Sequence, residues 1–358
     1  MADWREQAEL FGDVVFFRSS TPEIEKSSPE VFVWDLDKTY LDTTIDSLSG
    51  LLQAVIERAF SKKNIPGTDT LLRTLAQERA MRTGSQLFPI YFITASPPQM
   101  EARITEKFVF DNIRPLGCFY KDNLKNLRPG RFWRLTKQVG YKLQALMQLR
   151  VRLADEVRQV CFGDDSETDA VIYNLYSDIC ARRLSAAEIR AVLAAFSVTG
   201  EQVDTILSLQ ARAPSQDPVE KIYINLATDT DPEYYFKFGR RTLATYNTYQ
   251  LALDLYQDNR LSFDGVYAVA EDMIQNYGYT PDELTKSLDE LVRRGVLGRG
   301  AWEKLKALLA DRGLTYPGYE PSMAPMKEKE TRDGRVYSLE GHQEAWLPER
   351  IDYLHDDR

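Results

Sequence analysis

The chain predicts an α/β fold, a parallel sheet whose strands alternate with crossover helices. Three observations lead there. Continuous apolar runs at Val31-Phe32-Val33-Trp34, Ile90-Tyr91-Phe92-Ile93 and Val160-Cys161-Phe162 read as strands buried on both faces. Segments of helical period separate them. Each run ends abruptly in hydroxyl- or carboxylate-bearing residues, as strands do where they reach a ligand crevice. With 43% hydrophobic and 11% aromatic residues among 358, the chain can bury a sizeable core.

Taken in order, residues 1–30 read as a polar lead-in ending in Ser27-Ser28-Pro29. After the first strand, Ile45, Leu48, Leu52, Val55, Ile56 and Phe60 lie on one helical stripe. Pro66-Gly67 breaks the chain before a second amphipathic segment with Leu71, Leu72 and Leu75. The strand at 90–93 leads through Ser96-Pro97-Pro98, a proline-rich helix start, to a helix ending near Phe110. Gly117-Cys118-Phe119-Tyr120 is a third strand, and a helix over 136–153 precedes the fourth at 160–162. Ser185 with Glu188, and Thr199 with Gln202, have capping-box spacing and predict a helical hairpin at about 184–211. A fifth strand is expected at 219–226 (VEKIYINL), then an aromatic stretch at 234–256 whose helical spacing suggests core packing. Thr280-Pro281-Asp282-Glu283 starts a helix that Gly295 stops. The expected organisation is a lead-in (1–30), a core (31–260) carrying the hairpin, a small module of two helices (261–316) and a charged, partly ordered tail (317–358).

Composition removes several function classes. With 45 basic and 54 acidic residues the formal charge is −9, which argues against a nucleic-acid binder. No apolar run reaches the roughly 18 residues needed to cross a bilayer, and the first ten residues show no secretory pattern. A cytoplasmic location is the expectation, with peripheral membrane contact open. Cys118, Cys161 and Cys180 are too scattered for a disulfide framework, and Cys161 reads as a small buried hydrophobe. The only histidines, His342 and His355, sit near the C-terminus, which leaves carboxylates, hydroxyls and lysines for any chemistry. Lys237, Arg240 and Arg241 could grip an anion, although a solvated basic turn is the simpler reading.

Residues 31–44 (VFVWDLDKTYLDTT) are the most informative. Asp35 follows four apolar residues, so its carboxylate emerges at a strand end, and Asp37 points to the same side of extended chain. Two carboxylates there repel each other, and a divalent cation holds both ionised; all-oxygen donors favour Mg²⁺. One carboxylate could attack phosphorus while the other moves protons. Read alone, D-x-D-x-T is equally a solvated acidic turn. Thr94 places a hydroxyl at the end of the second strand, with Ser96 as a competitor. Gly163-Asp164-Asp165-Ser166-Glu167-Thr168-Asp169 forms an acidic loop after the fourth, where Asp164 and Asp169 could complete a metal shell and Gly163 permits a sharp turn. Lys142 lies on the intervening helix, with Lys121, Lys125 and Lys137 as alternatives.

This ordered set resembles the haloacid dehalogenase superfamily of phosphohydrolases. Asp35-Leu36-Asp37-Lys38-Thr39 matches its first motif, Thr94 its second, Lys142 its third and Gly163-Asp164 through Asp169 its fourth, across about residues 31–175. The resemblance implies a Rossmann-like core, with a central parallel sheet, helices on both faces and a C-terminal helical extension. It implies that Asp35 forms an aspartyl-phosphate and that Asp37 is the general acid/base. It further implies that Thr94 and Lys142 bind the phosphoryl group. Asp35, the Asp37 carbonyl and Asp164 would ligate Mg²⁺ with Asp169 in support. Within the superfamily, the stretches from Phe92 to Met100 (FITASPPQM) and from Gly163 to Tyr173, with Asn64-Ile65-Pro66-Gly67, look like the phosphatidate phosphatase branch. The chain departs from that branch at Lys38, where an aspartate is usual, and in the 184–211 hairpin. The implied activity is phosphomonoester hydrolysis on phosphatidate or another bulky phosphorylated substrate. A phosphoprotein or small-metabolite phosphatase and a dormant binding scaffold are the alternatives. Only about fifty residues separate the first two motifs, which leaves no room for a large cap and suits a substrate that seals the site itself.

Overall fold

The computed structural model describes residues 4–21, 28–41, 64–84, 88–122, 138–166, 168–227, 230–325, 328–330, 336–338 and 346–354. In chain order these form β1 (Ala8–Phe11), β2 (Val14–Arg18), β3 (Glu30–Asp35), α1 (Thr68–Thr83), β4 (Ile90–Thr94), α2 (Glu101–Phe110), β5 (Gly117–Lys121), α3 (Val139–Arg152), β6 (Arg158–Asp164), α4 (Asp169–Cys180), α5 (Ala186–Ala195), α6 (Gly200–Arg212), β7 (Val219–Asn225), β8 (Thr242–Thr245), α7 (Thr248–Gln257), α8 (Phe263–Tyr277), α9 (Pro281–Arg293), α10 (Arg299–Asp311), β9 (Glu328–Glu330) and β10 (Val336–Ser338). The helix expected at 45–60 lies outside the described residues. The chain divides into two compact units, one of Met1–Lys62, Pro89–Ile224 and Arg350–Arg358, the other of Lys63–Phe88 and Asn225–Glu349. The fold is mixed α/β.

In the first unit the strands run in the order β1-β2-β5-β4-β3-β6-β7. β3 pairs in parallel with β4 on one side and β6 on the other, and β4 with β5. The strand order therefore reverses at β3, which makes its carboxyl end a topological switch point, the usual crevice of an open α/β sheet. Helices cover both faces. Phe92 of β4 stacks on Phe108 of α2, whereas Phe119 stacks on Phe16, over which Arg152 of α3 lies. The register pairs Phe119 with Ile93, so Phe92 and Phe119 point to opposite faces.

The sheet is not wholly parallel, and this corrects the central parallel sheet expected from the sequence. β1 and β2 fall in the stretch read as a lead-in. They form a hairpin closed by Gly12-Asp13, and β2 adds antiparallel to β5. Val14, Val15 and Phe16 are fully buried, which explains why this strand belongs to the core. α5 and α6 begin at full capping boxes, Ser185 with Glu188 and Thr199 with Gln202. Near the C-terminus, Ile351 and Tyr353 are buried, and the Tyr353 hydroxyl donates to Asp178 of α4 at 2.5 Å, so this part of the expected tail belongs to the first unit.

The second unit holds α1, β8 and α7 to α10. α1, expected between the first two motifs as part of the core, groups instead with the later helices. Apolar stripes on α8 (Val266, Val269, Met273), α9 (Leu284, Leu288, Leu291) and α10 (Leu305, Leu309) are buried. Three helices occupy 263–311 where two were expected. The aromatic stretch is not one helix: a 3₁₀ turn at Pro232–Phe238 ends at Gly239, whose φ of 79° is left-handed, and β8 intervenes before α7. Tyr235, Phe238 and Tyr249 are buried. The basic trio is not a solvated turn throughout: Arg241 is buried, and the Lys237 ammonium sits 3.5 Å from the Tyr234 ring centre. Among the described residues, no helix is long and apolar enough to cross a membrane.

Candidate active site

Among the described residues, four carboxylates and one ammonium meet at the switch point, all within the first unit. Asp35, the last residue of β3, and Asp169, the first of α4, are fully buried; Asp37, Asp164 and Lys142 are at most 5% exposed. Lys142 Nζ lies 2.8 Å from Asp35 Oδ1 and 2.5 Å from Asp169 Oδ1, bridging the ends of β3 and α4. Carboxylate oxygens of Asp35, Asp164 and Asp169 lie within 4.8 Å of one another. Buried carboxylates this close repel one another, and a cation among hard oxygen donors would offset that repulsion. The donor set therefore fits a divalent metal.

β6 and α4 fix the fourth-strand side. Asp169 also accepts from the Asp164 backbone N–H at 3.2 Å, and Asp164 Oδ1 accepts from both the backbone N–H and the hydroxyl of Ser166. Thr168, at the helix start, has a φ of 64°, a left-handed conformation uncommon for a threonine. The sequence reading of Gly163 as a sharp-turn residue is corrected. It lies inside β6, and a Cβ there would come within 2.4 Å of Asp169 Oδ2 and 2.5 Å of Asp169 Cβ. What the position needs is room for the carboxylate that Lys142 holds.

The first-motif loop folds back on itself after β3. Leu36 N–H donates to the Ile93 carbonyl at 2.9 Å, Lys38 N–H to Leu41 at 2.8 Å and Leu41 N–H to Leu36 at 2.9 Å. Lys38 adopts the left-handed region with φ 58°. This turn directs Asp37 across to β4, where the Thr94 hydroxyl donates to Asp37 Oδ2 at 2.8 Å while accepting from Ser96 N–H at 3.0 Å. Asp37 is not part of the carboxylate trio at the metal-sized gap. Thr39 donates to Asp35 Oδ2 at 3.4 Å. Of the competing lysines, Lys121 is buried at the end of β5, and Lys125 and Lys137 lie outside the described residues.

Sequence reasoning missed Tyr141. Its hydroxyl lies 2.7 Å from the Thr94 carbonyl and 2.8 Å from that of Phe119, tying together the ends of β4 and β5. Burial pushes its phenol well above the ordinary range, so it remains a donor. Tyr173 similarly donates to the Phe162 carbonyl at 2.9 Å, and burial, reinforced by Asp169, keeps it protonated. Burial likewise raises the Cys118 thiol, which stays neutral. The signal for Tyr141 was its place beside Lys142: consecutive residues entering a helix at a strand-end site.

Residues 31–191 match the family model described as phosphatidate phosphatase APP1, catalytic domain. The match runs from β3 into α5 and includes Asp35, Asp37, Thr94, Lys142, Asp164 and Asp169. No curated protein and no solved structure matches the chain.

Proposed function

We propose that the chain is a Mg²⁺-dependent phosphomonoester hydrolase of the haloacid dehalogenase type, with phosphatidate as the favoured substrate class. The observation that carries the reading is the strand-end Asp35 held 2.8 Å from Lys142 inside a buried acidic trio. The family match over the same residues supports the phosphatase class and the lipid substrate.

In this reading a carboxylate oxygen of Asp35 attacks phosphorus and the P–O bond to the leaving alcohol breaks. Asp37, oriented by Thr94, gives that alcohol its proton and then takes one from the water that hydrolyses the acyl phosphate, which regenerates Asp35. Lys142 offsets negative charge on the transferred group. Asp35, Asp164 and the Asp37 carbonyl would hold Mg²⁺, with Asp169 orienting Lys142 and the Asp164 backbone. The bound ion supplies electrostatic stabilisation of the phosphoryl oxygens. An exposed metal-free acidic turn would not need Gly163 kept small or a lysine buried against two carboxylates.

The test is a panel of phosphatidate in mixed micelles, phosphopeptides and small phosphate esters, each assayed with EDTA and with added Mg²⁺. Hydrolysis is expected to fall at least about 100-fold in EDTA and return with Mg²⁺, with phosphatidate preferred. Turnover indifferent to EDTA would refute the metal role. Preference for phosphopeptides or small esters would reassign the substrate, and silence across the panel would favour a binding scaffold.

A further inference from the structure

The loop that bears Asp37 is fastened at a point the proposed chemistry does not use. Tyr40, three residues beyond Asp37, is fully buried, with its ring tilted against Phe92 and Phe108 at centroid distances of 5.6 and 6.3 Å. Its hydroxyl donates to a carboxylate oxygen of Asp111, which follows the last residue of α2. Asp111 is itself buried and is gripped by Lys107, one helical turn earlier, at 2.6 and 2.5 Å from its two oxygens. A phenol donating to a lysine-held carboxylate is among the stronger hydrogen bonds available to a side chain. The α2 end is firm in turn, since the Asp111 N–H donates to the Lys107 carbonyl at 2.9 Å.

Tyr40 N–H donates to the Leu36 carbonyl at 3.3 Å and Leu41 N–H to the same atom, so the turn is a closed unit with Asp37 on one side and Tyr40 on the other. Inside the turn, Lys38 holds a left-handed conformation, with φ 58°, that is disfavoured for a residue with a Cβ. A strained turn needs outside contacts to keep its shape. Two of them are on the β4 side, Leu36 to Ile93 and Asp37 to Thr94. Another is Tyr40 to Asp111, on the α2 side. Fixing the turn at both ends limits the freedom of the Asp37 carboxylate, and small displacements of a proton-transfer group are costly in rate.

We propose that Tyr40, through the Asp111–Lys107 pair, is a positioning residue that sets the placement of Asp37. This rests on the hydrolase reading above. The tyrosine never touches substrate. Its loss should therefore be felt in the chemical step and hardly in substrate binding, whereas a tyrosine that only fills the core would lower stability and leave the turnover of folded protein intact.

The experiment uses the full chain with Mg²⁺ and a small aryl phosphate, comparing wild type, Tyr40→Phe and Asp111→Asn, with amide hydrogen exchange measured on the same samples. Tyr40→Phe keeps the ring contacts and removes only the hydroxyl. The expected result is a kcat lowered about tenfold with KM within about twofold, and faster exchange confined to residues 36–41. Asp111→Asn keeps an acceptor oxygen for the phenol but loses the charge that Lys107 holds, so it should lower kcat in the same direction as Tyr40→Phe and by less, to about a third of wild type. A Tyr40→Phe enzyme with wild-type kcat overturns the proposal, even if it melts earlier. If wild type hydrolyses none of the phosphate esters, the hydrolase reading fails separately. Exchange then decides the anchor: acceleration at 36–41 in Tyr40→Phe upholds it, and an unchanged loop overturns it.

Discussion

Asp35→Asn is expected to lower phosphate-ester hydrolysis by at least about 10³-fold while the protein stays folded. The size follows from the proposed role: removing the nucleophile of a covalent mechanism would leave only binding and electrostatic help. The fold should survive because the asparagine keeps an oxygen to accept from Lys142, now 2.8 Å from Asp35 Oδ1, and because one charge leaves a crowded acidic set. Steady-state rates with circular dichroism and thermal melts on the same preparation check it. Ordinary turnover in the variant would remove Asp35 from the mechanism.

The second large effect is expected at Lys142. Lys142→Met fills similar volume but leaves Asp35 and Asp169 as buried carboxylates without their shared ammonium. Breaking a buried pair in this way costs about 3–5 kcal/mol, and here one lysine serves two acids. Urea unfolding in EDTA should show that loss, and added Mg²⁺ should recover part of it by taking over some of the charge compensation. Activity should not follow: with Mg²⁺ present the rate should remain about 10²–10³-fold below wild type, because the proposed role of this ammonium is to offset charge on the phosphoryl group. A variant as stable as wild type in EDTA would show that the acids do not depend on this lysine.

These effects were partly legible in the chain. β3, β4 and β6 announce themselves as apolar runs without alternation, because strands buried on both faces have no polar side. Where such a run stops at Asp35, Thr94 or Asp164, the strand meets solvent, and three parallel neighbours that stop together bring those residues together. The meeting of Lys142 with Asp35 and Asp169 was legible only as an order of motifs, since no spacing rule measures the reach of a helix lysine across a sheet. β2 escaped notice although Gly12-Asp13 sits between two apolar pairs; a five-residue strand inside a charged stretch is easily read as a leader. β8 was lost because four residues, TLAT, were swallowed by aromatic spacing that suggested helix on either side. The grouping of α1 with α7–α10 could not be read at all, since it depends on contacts between stretches more than a hundred residues apart. The same holds for Tyr40 and Asp111, separated by 71 residues.

Gly163 shows how a correct residue can be noticed for a wrong reason. The sequence suggests a turn, whereas the structure places the glycine in a strand where Asp169 presses against it. The requirement comes from the neighbour, and only packing reveals it.

The central claim is that Asp35 receives the phosphoryl group, and acid-quenched turnover with peptide mapping tests it most directly. Wild type mixed with substrate and Mg²⁺, stopped in acid and digested, should carry an acid-stable, base-labile phosphate on the peptide containing Asp35, and Asp35→Asn should carry none. A phosphate found on another residue under the same quench would contradict the account.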